Sequence, residues 1–333
     1  MSIWKKAIST AALATALATS TVTVAQAAPM RIAVVVKALG IGFFDAVHKG
    51  AEEAAKQIGD VQIIYTGPTK TTAEGQIQVI DSLIAQRVDA IAISANDKDA
   101  LVPALKKAMQ RGITVISFDS GVAPEGRLMQ LNASSTPLIG QTLIKLAADH
   151  MPNGGEVAVL SASATATNQN AWIAAMKGEM KNYPNIKLAT VVYGDDMADK
   201  SYREAQGLIK TYPNLKAIIA PTTVGIQAAA QAVEDAHMVG KINVTGLGLP
   251  SEMAGHVHSG ASKSFAIWNP IDLGYAATEI AYNLATKKAV AKPGAKISMG
   301  RMGTVTLDEH NDGAMANPFV YDASNVDQFA KIF

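Results

Sequence analysis

The chain has 333 residues, 49% of them hydrophobic and 17% charged, which is enough for two domains with cores of their own. Lys and Arg number 29 against 28 Asp and Glu, a balance that leaves no electrostatic footprint for nucleic acid or anionic lipid. There is no cysteine, which excludes disulfides, thiolate nucleophiles, cysteine-ligated metals and lipidation at a lipobox cysteine.

The first segment reads as a secretory leader. Lys5 and Lys6 precede an uncharged run, Ala7–Ala25, and Ala25-Gln26-Ala27 fits an A-x-A cleavage site. The run is rich in Ser, Thr and Ala, too weakly apolar to be held as a membrane anchor. Residues 1–27 are therefore expected to be a signal peptide, with the mature chain starting near Ala28. Removing Lys5 and Lys6 from the 29 bases leaves 27 against 28 acids, a net of −1.

Strands and amphipathic helices then alternate. Arg31–Val36 reads as a strand running into Lys37, and Phe44, Val47, Ala51, Ala54 and Ile58 mark a helical face. Val61–Tyr65 is the second strand. Thr71-Thr72-Ala73-Glu74 resembles a capping box, followed by the stripe Ile77, Ile80, Ile84. Val88–Ile93 runs into Ser94, Ala95, Asn96 and Asp97. A helix carrying Leu101, Leu105, Ala108 and Met109 closes at Gly112, with Pro103 in its first turn. Ile113–Phe118 runs into Asp119, and Arg127–Leu131 precedes a boundary near Asn132.

The series repeats in the second half. Glu156–Ser161, Leu188–Tyr193, Ala217–Ala220, Ile242–Gly246 and Lys263–Trp268 read as strands. Helices begin near Asn168, Asp199 and Thr223, and another runs from Pro270 to about Lys287. The tail from Lys292 is irregular, with weak strand signals over Met299–Leu307. Parallel strands with helical crossovers predict an α/β fold of two doubly wound parallel-sheet lobes joined by a hinge.

Ligands bind at the carboxyl ends of the strands in such sheets. Polar and aromatic residues gather there: Lys37, Phe43, Ser94, Asp97, Asp119, Asn168, Gln169, Pro221, Thr222, Thr223, Trp268 and Asn269. The set suits a small polyol. An ionised Asp accepts several hydroxyl donors, amides both donate and accept, and a flat aromatic offers an apolar face to ring C–H groups. Asp119 ends an apolar strand, where an acid has no packing use. Phe44 lies on the core stripe, so Phe43 is the cleft candidate. Trp172 shares a stripe with Met176 and Met180, which favours core packing. Asn168, Asn269, Asp97 and Asp99 each have an alternative role as helix N-caps.

No other chemistry emerges. Gly40-Ile41-Gly42 lacks the third glycine of a dinucleotide fingerprint, which would fall at Asp45, and the second strand runs out into Thr66 and Gly67 rather than an acid. His256 and His258, two apart on a helix, point to different faces, and the histidines read as surface residues. Asp195-Asp196 and Glu52-Glu53 look solvated. No nucleophile elbow or P-loop is present. No catalytic residue, no metal and no cofactor is expected from the sequence.

The blocks IAVVVKALGIGFFDAVHKGAEEAAK, ATNQNAWI, AIIAPTTVG and FAIWNPIDLGYAATEIAY resemble the type I, sugar-binding class of periplasmic solute receptors that feed ABC importers. Within it the chain is similar to the rhamnose-binding receptors and, through its K-x-x-G-x-GFF start and Q-N-x-W helix, to the autoinducer-2 receptors. The resemblance implies an N-terminal lobe of 28–132 and 270–296 and a C-terminal lobe of 133–269 and 297–333. Hinge crossings are expected near Asn132, near Asn269 and in Lys292–Met302. It implies a monomer in the periplasm that binds L-rhamnose or a related deoxyhexose and is read by an inner-membrane permease; the alternative is a receptor for autoinducer-2 or another small carbohydrate. Combined with the strand-end reading, the ligand set is Lys37, Phe43, Ser94, Asp119, Asn168, Gln169, Pro221, Thr223, Trp268 and Asn269.

Two positions depart from the autoinducer-2 pattern: Asn168 replaces Asp, and Thr223 replaces Ala. Phe43, Ile267 and Trp268 are candidates to seat a deoxyhexose methyl. A repressor's sensor domain shares this fold but needs an N-terminal helix-turn-helix where this chain carries a leader. An enzyme on the same scaffold would need an acid/base pair or activated nucleophile, and none is visible.

Overall fold

Every second residue of the first strand, β1 (Met30–Val35), packs to the opposite side: Ile32 and Val34 join one apolar cluster, Ala33 and Val35 the other. A strand buried on both faces belongs inside a parallel sheet covered by helices. The computed structural model describes residues 28–332, so the leader expected over residues 1–27 lies outside the described residues.

The first lobe continues with α1 (Gly42–Ile58), β2 (Val61–Thr66), α2 (Ala73–Gln86), β3 (Ala90–Ile93), α3 (Val102–Gln110), β4 (Thr114–Phe118) and β5 (Gln130–Asn132). The second comprises α4 (Thr136–Ala148), β6 (Gly155–Ser161), α5 (Thr167–Glu179), β7 (Ile186–Tyr193), α6 (Ala198–Thr211), β8 (Leu215–Ala220), α7 (Thr223–Asp235), β9 (Asn243–Gly246), α8 (Pro250–His258) and β10 (Ser264–Ile267). The chain then forms α9 (Pro270–Ala285), β11 (Lys296–Ser298), β12 (Thr304–Thr306), β13 (Asp312–Ala314), β14 (Phe319–Asp322) and α10 (Val326–Phe329).

The first sheet runs β13-β5-β4-β3-β1-β2, parallel throughout. The second runs β7-β6-β8-β9, also parallel, and a bridge between Leu247 and Ala266 extends it to β10, which pairs antiparallel with β14. This is the α/β architecture of two doubly wound lobes. The sequence pattern places no helix over 136–148, yet Ile139, Leu143, Ile144 and Ala147 bury one face of α4 there.

Helix α9 returns to the first lobe and packs on α1 at very short range. A Cβ on Gly50 would lie 1.8 Å from the Ile271 carbonyl oxygen, and one on Gly274 would lie 1.9 Å from that of Val47. Only glycine at both positions lets the two backbones meet.

The tail departs from expectation. Residues 297–333 are not all in the second lobe: β13 pairs with β5 at the edge of the first sheet, and only β14 and α10 join the second lobe. The reason is the open edge that β5 would otherwise leave. The Arg127 guanidinium, buried, fastens β13 through a 2.6 Å ion pair with Asp312. The third crossing between lobes therefore lies at 315–318, not in Lys292–Met302, which holds β11 and the turn after it. There Met315 N donates to Asn132 O and Ala316 N to Ala133 O, both at 3.0 Å, so the first and third crossings run side by side.

Candidate functional site

The strand ends of the first lobe are locked from behind. Buried Gln76 donates through Nε2 to Val36 O (3.1 Å) and Ser94 O (2.7 Å), and its Oε1 accepts from Asn96 N at 2.8 Å. Asn96 Nδ2 donates to Lys37 O at 2.9 Å. The backbone around Lys37 and Ser94 is thereby fixed before any ligand arrives.

Asp119 follows β4 in the left-handed region, φ 55°, and is 5% exposed. Its Oδ2 accepts from Ser94 Oγ at 2.7 Å and its Oδ1 from Asn168 Nδ2 at 2.9 Å. Lys37, 3% exposed, donates from Nζ to Asn168 Oδ1 at 3.0 Å. Asn168 opens α5 of the second lobe, so Lys37 and Asp119 grip the opposite lobe through one amide. The next residue, Gln169, has its Oε1 held by Ser161 Oγ and Ala162 N, both at 2.7 Å.

Eight of the expected residues line one cavity: Lys37, Phe43, Asp119, Asn168, Gln169, Pro221, Thr223 and Trp268. About 410 Å³ of atom-free space lies between them, part of it open to solvent. Two expected residues are not in the lining. Ser94 sits behind the wall and orients Asp119 instead. Asn269 caps α9: its Oδ1 accepts from Ile271 N at 2.9 Å and its Nδ2 donates to Asp272 Oδ2 at 2.9 Å. Asp97 likewise serves a turn, accepting from Asp99 N and Ala100 N.

The cavity also takes in residues that the sequence pattern assigns elsewhere. Trp172, placed in the core by its stripe, forms a wall with Trp268 (ring centroids 5.6 Å, interplanar 67°), and Phe43 meets Trp268 edge-on at 6.3 Å. Phe44, Ile41, Leu247 and Ile267 complete the apolar side. Trp268 is 2% exposed and its indole Nε1 has no protein acceptor. Asp196, read as solvated, turns into the cavity and accepts a hydrogen bond from Thr222 Oγ1. Burial pushes its carboxyl above the ordinary range, with Lys37 and the Thr222 hydroxyl opposing.

The lobes are closed on one another. Besides the Lys37–Asn168–Asp119 chain, Thr71 Oγ1 donates to Asp195 O at 2.7 Å and Thr165 Oγ1 to Asn96 O at 3.0 Å. Thr71 is thus an inter-lobe contact, and the cap of α2 is Thr72, whose Oγ1 accepts from Gly75 N. At the start of α1, Gly42 faces Glu252 of α8; a Cβ there would come within 2.5 Å of Glu252 Oε1. Burial, and then Asp45 across the interface, push the Glu252 carboxyl up to about 7.

Among the described residues, no group of three His, Asp or Glu could hold a metal ion. His256 and His258 pair separately, with Glu234 (2.9 Å) and Asp327 (3.1 Å). No helix of the described residues is long and apolar enough to cross a membrane.

Residues 32–289 match the family described as "Periplasmic binding protein domain". The crystal structure of an ABC transporter solute binding protein from Clostridium phytofermentas with bound L-rhamnose is 35% identical, with TM-score 0.88, covering 92% of this chain and 99% of that one. The D-ribose/D-allose-binding protein of Pseudomonas aeruginosa is 29% identical over 225 residues, 65% of this chain and 70% of the relative. LsrB from Clostridium saccharobutylicum in complex with AI-2 shares the fold, at 22% identity and TM-score 0.85, over 90% and 98% of the two chains.

Proposed function

The chain belongs to the periplasmic binding protein domain family, and from that premise we propose that it captures L-rhamnose or a related deoxyhexose and hands it to an ABC permease. Members of the family are substrate-binding proteins of transporters, not enzymes. The observation that carries the sugar reading is the two-sided cavity. Asp119, Asp196, Lys37, Asn168 and Gln169 form a hydrogen-bonding side, and Phe43, Trp172, Trp268, Ile267 and Leu247 form an apolar one. A carboxylate has about four lone-pair sites, and two at Asp119 are used by Ser94 and Asn168. The others can accept sugar hydroxyls. The apolar side suits ring C–H groups and the methyl that distinguishes a deoxyhexose from its parent sugar. The 35% identical relative holding L-rhamnose supports the same ligand here.

The mechanism is clamp closure. Lys37, Phe43 and Asp119 come from one lobe, and Asn168, Gln169, Asp196, Thr223 and Trp268 from the other or the crossing beside it. A sugar touching both sides makes all its contacts only when the lobes meet, so it shifts the population to the closed form. Hinge closure of periplasmic binding proteins is itself a standard example of such a transition. The monomer, exported to the periplasm by residues 1–27, then presents the closed form to the inner-membrane permease.

Thermal-shift measurements against L-rhamnose, ribose, allose and autoinducer-2 test the reading, because a ligand of the native state raises Tm by mass action. L-rhamnose is expected to give the largest rise. A larger rise with any of the other three reassigns the ligand.

A further inference from the structure

The pole of the second lobe opposite the cleft carries a depression of one charge sign. It lies where β6, β8, β9 and β10 begin, with about 1040 Å³ of atom-free space open to solvent. His150, Lys216, Lys241, Asn243 and Lys263 border it. The three lysines are exposed, and among the described residues none of them forms an ion pair. Of the acids nearby, Asp149 pairs with Lys145 at 2.6 Å and Asp322 accepts from Ser324 N and Oγ, while Glu156, in register with Leu215, is outside the lining. The His150 ring, 3.0 Å from Ser264 Oγ, has its pKa held below the ordinary value by burial and by Lys263.

The second observation is Asn243. It is 7% exposed, and its Oδ1 accepts from Lys263 N at 3.0 Å, which fixes which end of the amide is which. The Nδ2 donor that this leaves is buried without a partner. Buried donors are ordinarily satisfied, and an orphan is a cost that a bound acceptor removes. An oxyanion supplies that acceptor, and the lysines supply the opposing charge.

We propose that this depression binds a phosphate-type oxyanion, with the Asn243 amide donating one hydrogen bond and Lys216, Lys241 and Lys263 offsetting the charge. The site is independent of the sugar cleft. Its phosphate can be a free ion or the headgroup of an anionic lipid, and two arms of one experiment separate these. In the first, inorganic phosphate is titrated into the protein at ionic strength held constant with chloride, read by phosphorus NMR line broadening and by Tm. In the second, the protein is sedimented with phosphatidylglycerol vesicles and with phosphatidylcholine vesicles.

The variant Lys216→Gln/Lys241→Gln/Lys263→Gln changes only exposed positions and is expected to fold. Phosphate binding should weaken at least about tenfold in it. Lys106→Gln, an exposed control on α3, should leave binding unchanged. Broadening and Tm shift lost in the triple variant assign a free phosphate. Sedimentation with phosphatidylglycerol alone, lost in the same variant, assigns a headgroup. No response in either arm, or a response equal in parent and triple variant, overturns the proposal.

Discussion

Asp119→Ala is the most informative perturbation of the cleft. The carboxylate accepts from Ser94 Oγ and Asn168 Nδ2 and has acceptor capacity left for sugar hydroxyls. A hydrogen bond to a charged group contributes about 1.5–3 kcal/mol. Losing one to the ligand therefore raises Kd roughly tenfold to a hundredfold, and losing two raises it further. Alanine also inherits a φ of 55°, at a cost of about 1–2 kcal/mol to the fold. Asp119→Asn separates the two effects, since asparagine tolerates the left-handed region. It keeps the shape but replaces one acceptor oxygen with a donor. Calorimetric titration of L-rhamnose into parent, alanine and asparagine variants is the assay, with chemical denaturation to establish that each is folded. Both variants should lose affinity, the asparagine variant with the smaller loss of stability. A folded alanine variant whose Kd stays within about threefold of the parent would refute the role given to Asp119.

Further outcomes follow from other contacts. Glu252, pushed up to about 7 in the closed form, favours closure in its protonated state. That contribution is present in full below the ordinary carboxylate pKa of about 4.3 and is lost as pH rises to about 7, so ligand affinity should fall across that window and level off above it. Glu252→Gln should flatten the profile; an equal slope in parent and variant would dismiss the group. Gly50→Ala would drive a Cβ into the Ile271 carbonyl and should lower unfolding free energy by about 1–3 kcal/mol or more, measured in urea. The two tryptophans after the leader, Trp172 and Trp268, both line the cleft, so L-rhamnose should change intrinsic tryptophan emission, and a spectrum unmoved at saturation would contradict their placement. Asn168→Asp with Thr223→Ala should shift preference toward autoinducer-2 in a competition assay, because Asn168 holds Lys37 and Asp119 at once; no gain would refute this account of selectivity.

The parts of the site legible in the sequence were those with no packing excuse. Asp119 ends a strand whose preceding residues Val115, Ile116, Ser117 and Phe118 are all fully buried, and an acid there stands out. Trp172 was hidden because one stripe serves two purposes: its first turn faces the cleft while Met176, one turn on, is in the core. Helical periodicity reports a face, not what lies opposite each end of it. Asp196 was hidden for a different reason. A doublet of acids reads as a solvated turn, but φ angles of 54° and 50° at Asp195 and Asp196 form a tight turn that brings the second acid in beside Thr222. The chain's return to the first lobe at β13 was invisible because Asp-Gly-Ala has no apolar alternation, and its pairing with β5 spans the whole second lobe. Asn269 shows the converse: the sequence left it open between cap and ligand contact, since both roles ask for the same amide at a strand end, and its Oδ1 accepts from Ile271 N as the cap of α9.

A crystal structure of the protein grown with L-rhamnose tests the central claim most directly. The account predicts sugar density between the two lobes, with hydroxyls on the Asp119 carboxylate and ring carbons against Trp172 and Trp268. Sugar bound elsewhere on the chain, or an Asp119 carboxylate turned to bulk solvent in the loaded protein, would contradict it.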